Sequence, residues 1–251
     1  MSTARRFHLI GPGRAGSSLR GALSDVGWEC ARTFHRGDDL GDAALGVDAC
    51  IVATPDQAIV EVARRINPGN AVVMHLSGAT PLAALGTSNQ VAALHPLQSL
   101  PNPEVGRVAL RSAYFAVAGE PVAREMAEAL SGNWFEIADT DRALYHCAAA
   151  IASNHTTALL GQVERLATAI GVPFEAFAPL VNQSLANVWE LGPASALTGP
   201  ASRGDTATID SHRQALDAHD PREQASYEAL VELAERLAGR LGDHGTDSLD
   251  R

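Results

Sequence analysis

The sequence predicts an α/β fold, a doubly wound and mostly parallel sheet, followed by an all-α domain. Three observations lead there. Short apolar runs alternate with helical stretches up to about residue 138. A glycine-rich turn joins the first apolar run to the first amphipathic helix. Beyond Ala138 the strand-like runs stop and only helical periodicity remains.

Taken in order, Phe7-His8-Leu9-Ile10 reads as the first strand. Residues 15–26 read as a helix with Leu19, Ala22, Leu23 and Val26 on one face. Residues 30–34 form a second strand and Ala49-Cys50-Ile51-Val52-Ala53 a third. A near-continuous apolar run of that kind suits a strand covered on both faces. A short helix over 59–66 is stopped by Asn67-Pro68-Gly69. Strands follow at 71–76, 91–94, 114–118 and 134–137, with a helix at 122–130 between the last two. Helices then occupy 141–170, 174–191, 205–218 and 221–241. The last opens with Asp220 as N-cap, Pro221 in the first helical position and Glu223 three residues after the cap. The expected domains are 1–139 and 140–251, with a polar, frayed tail after Gly242.

Composition narrows the function. The chain of 251 residues is 46% hydrophobic, enough for a large core. No apolar run approaches the roughly 18 residues of a membrane span, and Met1 to Arg6 is too short for a signal peptide. Both point to a cytoplasmic protein that does not engage membranes. The net charge of -10 opposes nucleic-acid binding. Cys30, Cys50 and Cys147 form no CxxC pair and read as buried, reduced thiols. All 19 Lys+Arg residues are arginine, so lysine chemistry is excluded.

Gly11-Pro12-Gly13-Arg14-Ala15-Gly16 satisfies GxGxxG. Its place between strand and helix gives the pattern meaning. Gly11 permits the tight turn, Gly13 lets backbone approach a pyrophosphate, and Gly16 lets helix and strand pack closely. The helix start then offers free N–H groups and partial positive charge to the anion. This is the Rossmann arrangement for a dinucleotide, and Arg14 and Ala15 lie inside its loop. The end of the second strand, Thr33-Phe34-His35-Arg36-Gly37-Asp38-Asp39, selects the cofactor. Arg36 falls at the strand end, where a guanidinium pairs with a 2′-phosphate, whereas Asp38 and Asp39 lie beyond Gly37. NADP is therefore expected ahead of NAD. Thr54 and Pro55 follow the third strand and border the ligand crevice, while Asp56 reads as a helix cap.

The glycine loop, Thr54-Pro55-Asp56, His75-Leu76-Ser77-Gly78-Ala79, His95-Pro96-Leu97-Gln98-Ser99, Tyr145-His146-Cys147-Ala148-Ala149-Ala150, Ser153-Asn154-His155 and the run from Leu197 to Asp205 carry a resemblance. Together they resemble the Rossmann-like, short dehydrogenase-like oxidoreductases with a C-terminal helical domain of unknown function. That group lies in the superfamily of 6-phosphogluconate dehydrogenase, ketopantoate reductase and pyrroline-5-carboxylate reductase. The resemblance implies an N-terminal NAD(P) domain and a helical domain that closes the cleft and forms a homodimer. It also implies a lysine on the first helix of the second domain, which this chain lacks.

The candidate chemistry therefore rests on other residues. Hydride transfer needs a donor for developing charge and a water-poor cleft. His146 and Ser153 are seven residues apart and share a helix face, with small alanines between them. His146 is the expected general acid, or else a histidine packed at the domain interface. Asn154 is the expected orienting group, because a polar triplet inside an apolar helix is costly unless partnered. His155 is the alternative acid. Ser77, His95, Gln98, Ser153 and Arg203 are candidate substrate contacts, with Ser77 also reaching the nicotinamide. Without carboxylates at ligand spacing, His75 and His95 suit hydrogen bonding rather than a metal. Asp205 reads as a helix cap, and its loop as either substrate-binding or structural. The expected activity is NADP-dependent reduction of a small 2-oxo acid or imine. The alternatives are a non-catalytic NAD(P)-binding regulator and a reductase working with F420.

Overall fold

The computed structural model describes residues 5–86 and 88–243. Met1 to Ala4, on which the signal-peptide expectation rests, and the tail from His244 lie outside the described residues. The chain divides into two compact units, Met1–Thr156 and Thr157–Arg251.

The first unit is built on seven strands: β1 (Arg6–Ile10), β2 (Glu29–Phe34), β3 (Ala49–Val52), β4 (Val72–His75), β5 (Val91–Pro96), β6 (Tyr114–Gly119) and β7 (Asn133–Glu136). Their order in the sheet is β2-β1-β3-β4-β5-β6-β7. Neighbours run parallel except β5 and β6, which pair antiparallel. The helices are α1 (Arg14–Asp25), α2 (Ile59–Arg64), α3 (Pro103–Ala109), α4 (Val122–Ala129) and α5 (Arg142–Ala150). A π-helical turn, Ile151–His155, follows α5. The strand order reverses between β1 and β3, which opens a crevice at their carboxyl ends.

All four residues of β3 and all four of β4 are buried, as their unbroken apolar runs demand. On one face, Leu9, Ile51, Met74, Leu94 and Phe115 pack with Leu19 and Leu23 of α1 and Met126 of α4. On the other, Ile10, Val52 and Val73 pack with Ile59 and Ala63 of α2. The helix α3 has no counterpart in the sequence reading. Its start is nevertheless regular: Asn102 accepts a hydrogen bond from the Val105 N–H at 2.9 Å, and Pro103 takes the first turn.

The second unit contains α6 (Thr156–Ala169, whose first residue closes the first unit), α7 (Ala178–Leu191), α8 (Pro193–Ala196), α9 (Pro200–Arg203), α10 (Thr206–His219) and α11 (Gln224–Asp243). Asp205 caps α10, accepting from the Thr208 N–H at 3.1 Å. Asp220 accepts from the Arg222 N–H, but Glu223 does not complete a capping box. It is buried, and its carboxylate takes both Nε and Nη2 of Arg165 at 2.5 and 2.9 Å. Helices replace strands from Arg142, close to the expected boundary at 139/140. The units part only after Thr156, because α5 packs on the sheet through Tyr145. Among the described residues no helix is long and apolar enough to cross a membrane.

The glycine turn binds helix to sheet. A Cβ on Gly16 would lie 2.5 Å from the Gly11 carbonyl oxygen and 2.9 Å from the Ala53 Cβ, whereas one on Gly13 would meet nothing within 4 Å. Gly16→Ala is therefore expected to lower unfolding free energy by about 1–3 kcal/mol in urea titrations, the range for overpacking. Gly13→Ala is expected to cost under about 1 kcal/mol, as a change of N-cap residue does.

Candidate functional site

The carboxyl edge of the sheet carries the site. Gly11 leaves β1 with φ +88, a value that L side chains resist, and its N–H donates to the Phe34 carbonyl at 3.1 Å. Gly13 is the N-cap of α1 and offers no side-chain cap, so the first-turn N–H groups stay available to an anion. Beside the turn lies a cavity of about 540 Å³, lined in part by Gly11, Pro12, Gly13, Arg36, Thr54 and Pro55. The turn, the open face of Gly13 and this cavity fit a dinucleotide. Ala15 and Gly16 continue into α1 and are not among the lining residues; Arg14, its first residue, is exposed.

The two acids beyond β2 are held by the backbone. Asp38 accepts from the His35 N–H at 2.8 Å, and Asp39 from the Gly41 N–H at 3.0 Å. Arg36 faces the cavity, as does Arg65, whose Nη2 donates to the Asp38 carbonyl at 2.5 Å. Sequence reading missed Arg65; it follows the last turn of α2, one face of which borders the cavity. Asp56 is not a helix cap. It begins a short 3-10 turn that has no side-chain cap.

A second group of residues gathers where β4, β5 and α5 meet. His75, the last residue of β4, is fully buried, and its Nδ1 accepts from the Ser77 N–H at 3.2 Å. Its proton is therefore on Nε2, which has no partner among the described residues. Ser77 is also buried, but its hydroxyl is committed to the local turn. It donates to Thr80 Oγ1 at 2.8 Å and accepts from the N–H groups of Ala79 and Thr80. This leaves Ser77 shaping the loop rather than reaching a ligand with its hydroxyl.

His95 and the Tyr145 hydroxyl lie 2.6 Å apart, through Nδ1 of the ring. The two rings meet edge to face, and Tyr145 packs in the same way on Phe135. His146 lies across from His95 with centroids 5.9 Å apart. Gly78 fits between these imidazoles: a Cβ there would come within 2.9 Å of His95 Nε2 and 2.8 Å of His146 Cδ2. Beneath them Arg142 is fully buried, with Nε on Asp139 at 2.9 Å and Nη1 on the Ser77 carbonyl at 3.5 Å. Among the described residues its Nη2 lacks a partner, as does the buried Thr54 Oγ1. Unsatisfied buried donors are uncommon in folded proteins, and those seen here cluster at one edge.

Burial, then the Arg142 charge, pushes His75 down to about 4. Burial, His146 and Arg142 push His95 down to about 4. Burial raises the Tyr145 phenol to about 12, against the pull of Arg142. At neutral pH the edge holds two neutral imidazoles and one protonated phenol.

The remaining candidates are placed differently. Ser153, Asn154 and His155 fall on the π-helical turn. Such a turn adds a residue to the helical repeat, so the seven-residue alignment of Ser153 with His146 does not carry over, and π-turns are frequent at functional sites. Asn154 and His155 are exposed, which removes the burial cost expected for them. Gln98 is exposed, accepts from the Ser99 N–H and donates to the Ala109 carbonyl, so it organises its own loop. Arg203 ends α9 in the second unit. Of the thiols, Cys50 is buried and Cys30 partly so; Cys147 is exposed, contrary to expectation, because its side of α5 faces away from the sheet. No cluster of metal-binding side chains occurs among the described residues.

The depressed histidines fix a pH dependence. Folded His75 and His95 titrate near 4 against 6.5 for the free side chain. Between those values the unfolded chain holds more protons, so stability rises with pH. The contribution is fully present above pH 6.5 and is lost as pH falls to about 4, by about 3 kcal/mol per histidine. Urea midpoints measured across this window should fall steeply in the wild type and less steeply in His95→Gln.

Residues 114–234 match the family model "Domain of unknown function (DUF2520)". Comparison with curated proteins returns no match. Among solved structures, the chain is similar to a Bacteroides fragilis protein classed by inference as an NADP oxidoreductase, at 22% identity and a TM-score of 0.79, covering 93% of this chain and 98% of that one. It is similar to pyrroline carboxylate reductase of Plasmodium falciparum, solved with NADP bound, at 14% identity and a TM-score of 0.62, covering 95% and 99%. It is similar as well to prephenate dehydrogenase of A. aeolicus, solved with NAD+, at 12% identity and a TM-score of 0.53, covering 96% and 97%. At these identities the likeness concerns the fold. The chain shares the Rossmann-like fold of these structures, and the stretch that matches the DUF2520 model runs from β6 into the helices that follow the sheet.

Proposed function

We propose that this protein is an NADP-dependent oxidoreductase that reduces a small 2-oxo acid or imine. The observation that carries the reading is the crevice at the β1–β3 reversal. A glycine turn with an open face at Gly13 leads into a cavity bordered by Arg36, while the neighbouring carboxylates of Asp38 and Asp39 are turned to backbone N–H groups. Gly11, Pro12, Gly13, Thr54 and Pro55 would hold the pyrophosphate and ribose, and Arg36 the 2′-phosphate. When bound, the reduced nicotinamide supplies a hydride. The structural neighbours named for NADP or NAD+ chemistry support the general class. An imine substrate is in keeping with the pyrroline carboxylate reductase among them.

In place of a lysine, the reaction draws on the rings at the ends of β4 and β5. Asn154 is the proposed orienting residue, and the acid–base role is proposed for the rings gathered around His95, among them Tyr145 and His146. Ser153 and Arg203 are proposed substrate contacts. A second copy of this chain is the proposed partner. It would cover α7, where Leu180, Leu185 and Leu191 are exposed and Trp189 is 84% exposed. Exposed apolar side chains in that number mark an association surface.

The cofactor assignment is tested by calorimetry with 2′,5′-ADP and 5′-ADP, followed by NADPH oxidation across a panel of 2-oxo acids and cyclic imines. Arg36→Gln is expected to weaken 2′,5′-ADP by about 10- to 100-fold, the loss of a charge-assisted hydrogen bond. It should leave 5′-ADP nearly unchanged. Equal loss for both nucleotides would remove Arg36 from the 2′-phosphate. NADPH binding without turnover of any panel member would favour the regulatory reading. For the partner, Trp189→Glu is expected to convert a dimer to a monomer in sedimentation. A wild-type monomer at micromolar concentration would reject that surface.

A further inference from the structure

The chain has no lysine, and an arginine does not release its proton at neutral pH. The proton that completes a reduction must therefore come from another group, and the titratable rings gathered at the β4–β5 edge are His75, His95, His146 and Tyr145. At the β4–β5 edge His75 is fully buried, with its free nitrogen out of contact with solvent. His146 turns its Cδ2 carbon toward Gly78, and among the described residues its ring meets His95 edge to face rather than through a hydrogen bond. Tyr145 differs from both. It is half-buried, its ring is held between Phe135 and His95, and its hydroxyl is 2.6 Å from His95 Nδ1.

We propose that the Tyr145 hydroxyl protonates the substrate, and that His95 returns a proton to Tyr145. The proposal rests on the reductase reading above and names the proton donor for it. His95 suits the second role because its two nitrogens face different groups. Nδ1 meets the phenol, while Nε2 lies on the side of Gly78, close enough that a Cβ there would come within 2.9 Å of it. The surroundings keep both partners in the right form. The phenol retains its proton until it is needed, and the imidazole stays neutral. The Arg142 charge nearby favours the transient phenolate.

The step balances. The carbonyl or imine carbon of the substrate accepts the hydride supplied by the bound dinucleotide, and the π electron pair moves to the oxygen or nitrogen. That atom takes the Tyr145 hydroxyl proton. The phenolate oxygen takes the His95 Nδ1 proton as Nε2 accepts one from water. One solvent proton is consumed, and His95 passes from one neutral tautomer to the other without becoming an imidazolium. The geometry also gives His146 a place beside this pair, next to Gly78 at the Nε2 side of His95.

Two measurements test this, and the first needs no substrate. Nitrogen-15 NMR of histidine-labelled protein, with His95→Gln assigning the signal, is expected to find His95 protonated on Nδ1, and Tyr145→Phe to shift that nitrogen. A neutral His95 protonated on Nε2 would mean that the phenol donates to His95 and has no proton for a substrate, which overturns the proposal. The second measurement uses the panel member that the wild type turns over best. Tyr145→Phe is expected to lower kcat by about 10²–10⁴-fold, as for loss of a general acid, with KM changed little. It should also abolish the solvent deuterium isotope effect, while His146→Ala costs less than about tenfold on the same scale. A larger loss in His146→Ala than in Tyr145→Phe would return the acid role to His146. Wild type inert toward the whole panel would reject the reductase reading, with the tautomer still deciding the pairing.

Discussion

Arg142 enters α5 as its first residue and carries a full positive charge into a position without solvent contact. Such a charge is costly to desolvate and is tolerated only where it is paired. Asp139 supplies the pairing, and the same carboxylate accepts the Leu82 N–H, so one group ties the start of α5 to the segment after β4. The Ser77 carbonyl adds a third attachment. Everything α5 contributes to the site depends on this clamp, because Tyr145 and His146 stand one turn further along the helix. The clamp also acts at a distance, since its charge helps to keep His75 and His95 neutral.

The two ends of the site rest on different physics. The end at Gly13 and Arg36 is open and relies on unsatisfied N–H groups and a guanidinium to attract an anion. The end at β4 and β5 is more deeply set, with His75 and Arg142 fully buried and His95 and Tyr145 partly so, and burial there favours neutral donors. The sheet joins them. Parallel pairing of β1, β3, β4 and β5 brings their carboxyl ends to one edge, so residues far apart in sequence share a crevice.

Much of this edge was legible in the sequence, for local reasons. The glycine turn depends on a strand and a helix that adjoin it, and Arg36 depends on where one strand stops. Asp205 is a local cap and was readable as one. Asn102-Pro103 carried an equally local signal for α3, and the same rules could have found it. Asp56 has a capping residue type, yet the chain enters a 3-10 turn there and no cap forms. The Tyr145–His95 contact was beyond reach, since it joins residues 50 apart on a strand and a helix whose packing no periodicity reveals. Likewise no residue type announces a π-turn, and its presence changed which positions align with His146.

Gly78 is held by side chains rather than by backbone strain. Its missing Cβ is the space into which the edges of two imidazoles fit, and one of those rings is hydrogen-bonded to a phenol. A methyl group at this position would have to displace His95 or His146. Positions 78, 95 and 146 are therefore coupled: the glycine can drift only if a ring is surrendered, and a smaller residue at 95 or 146 would free position 78 to vary. Among homologues with this geometry, the three positions should change together or not at all.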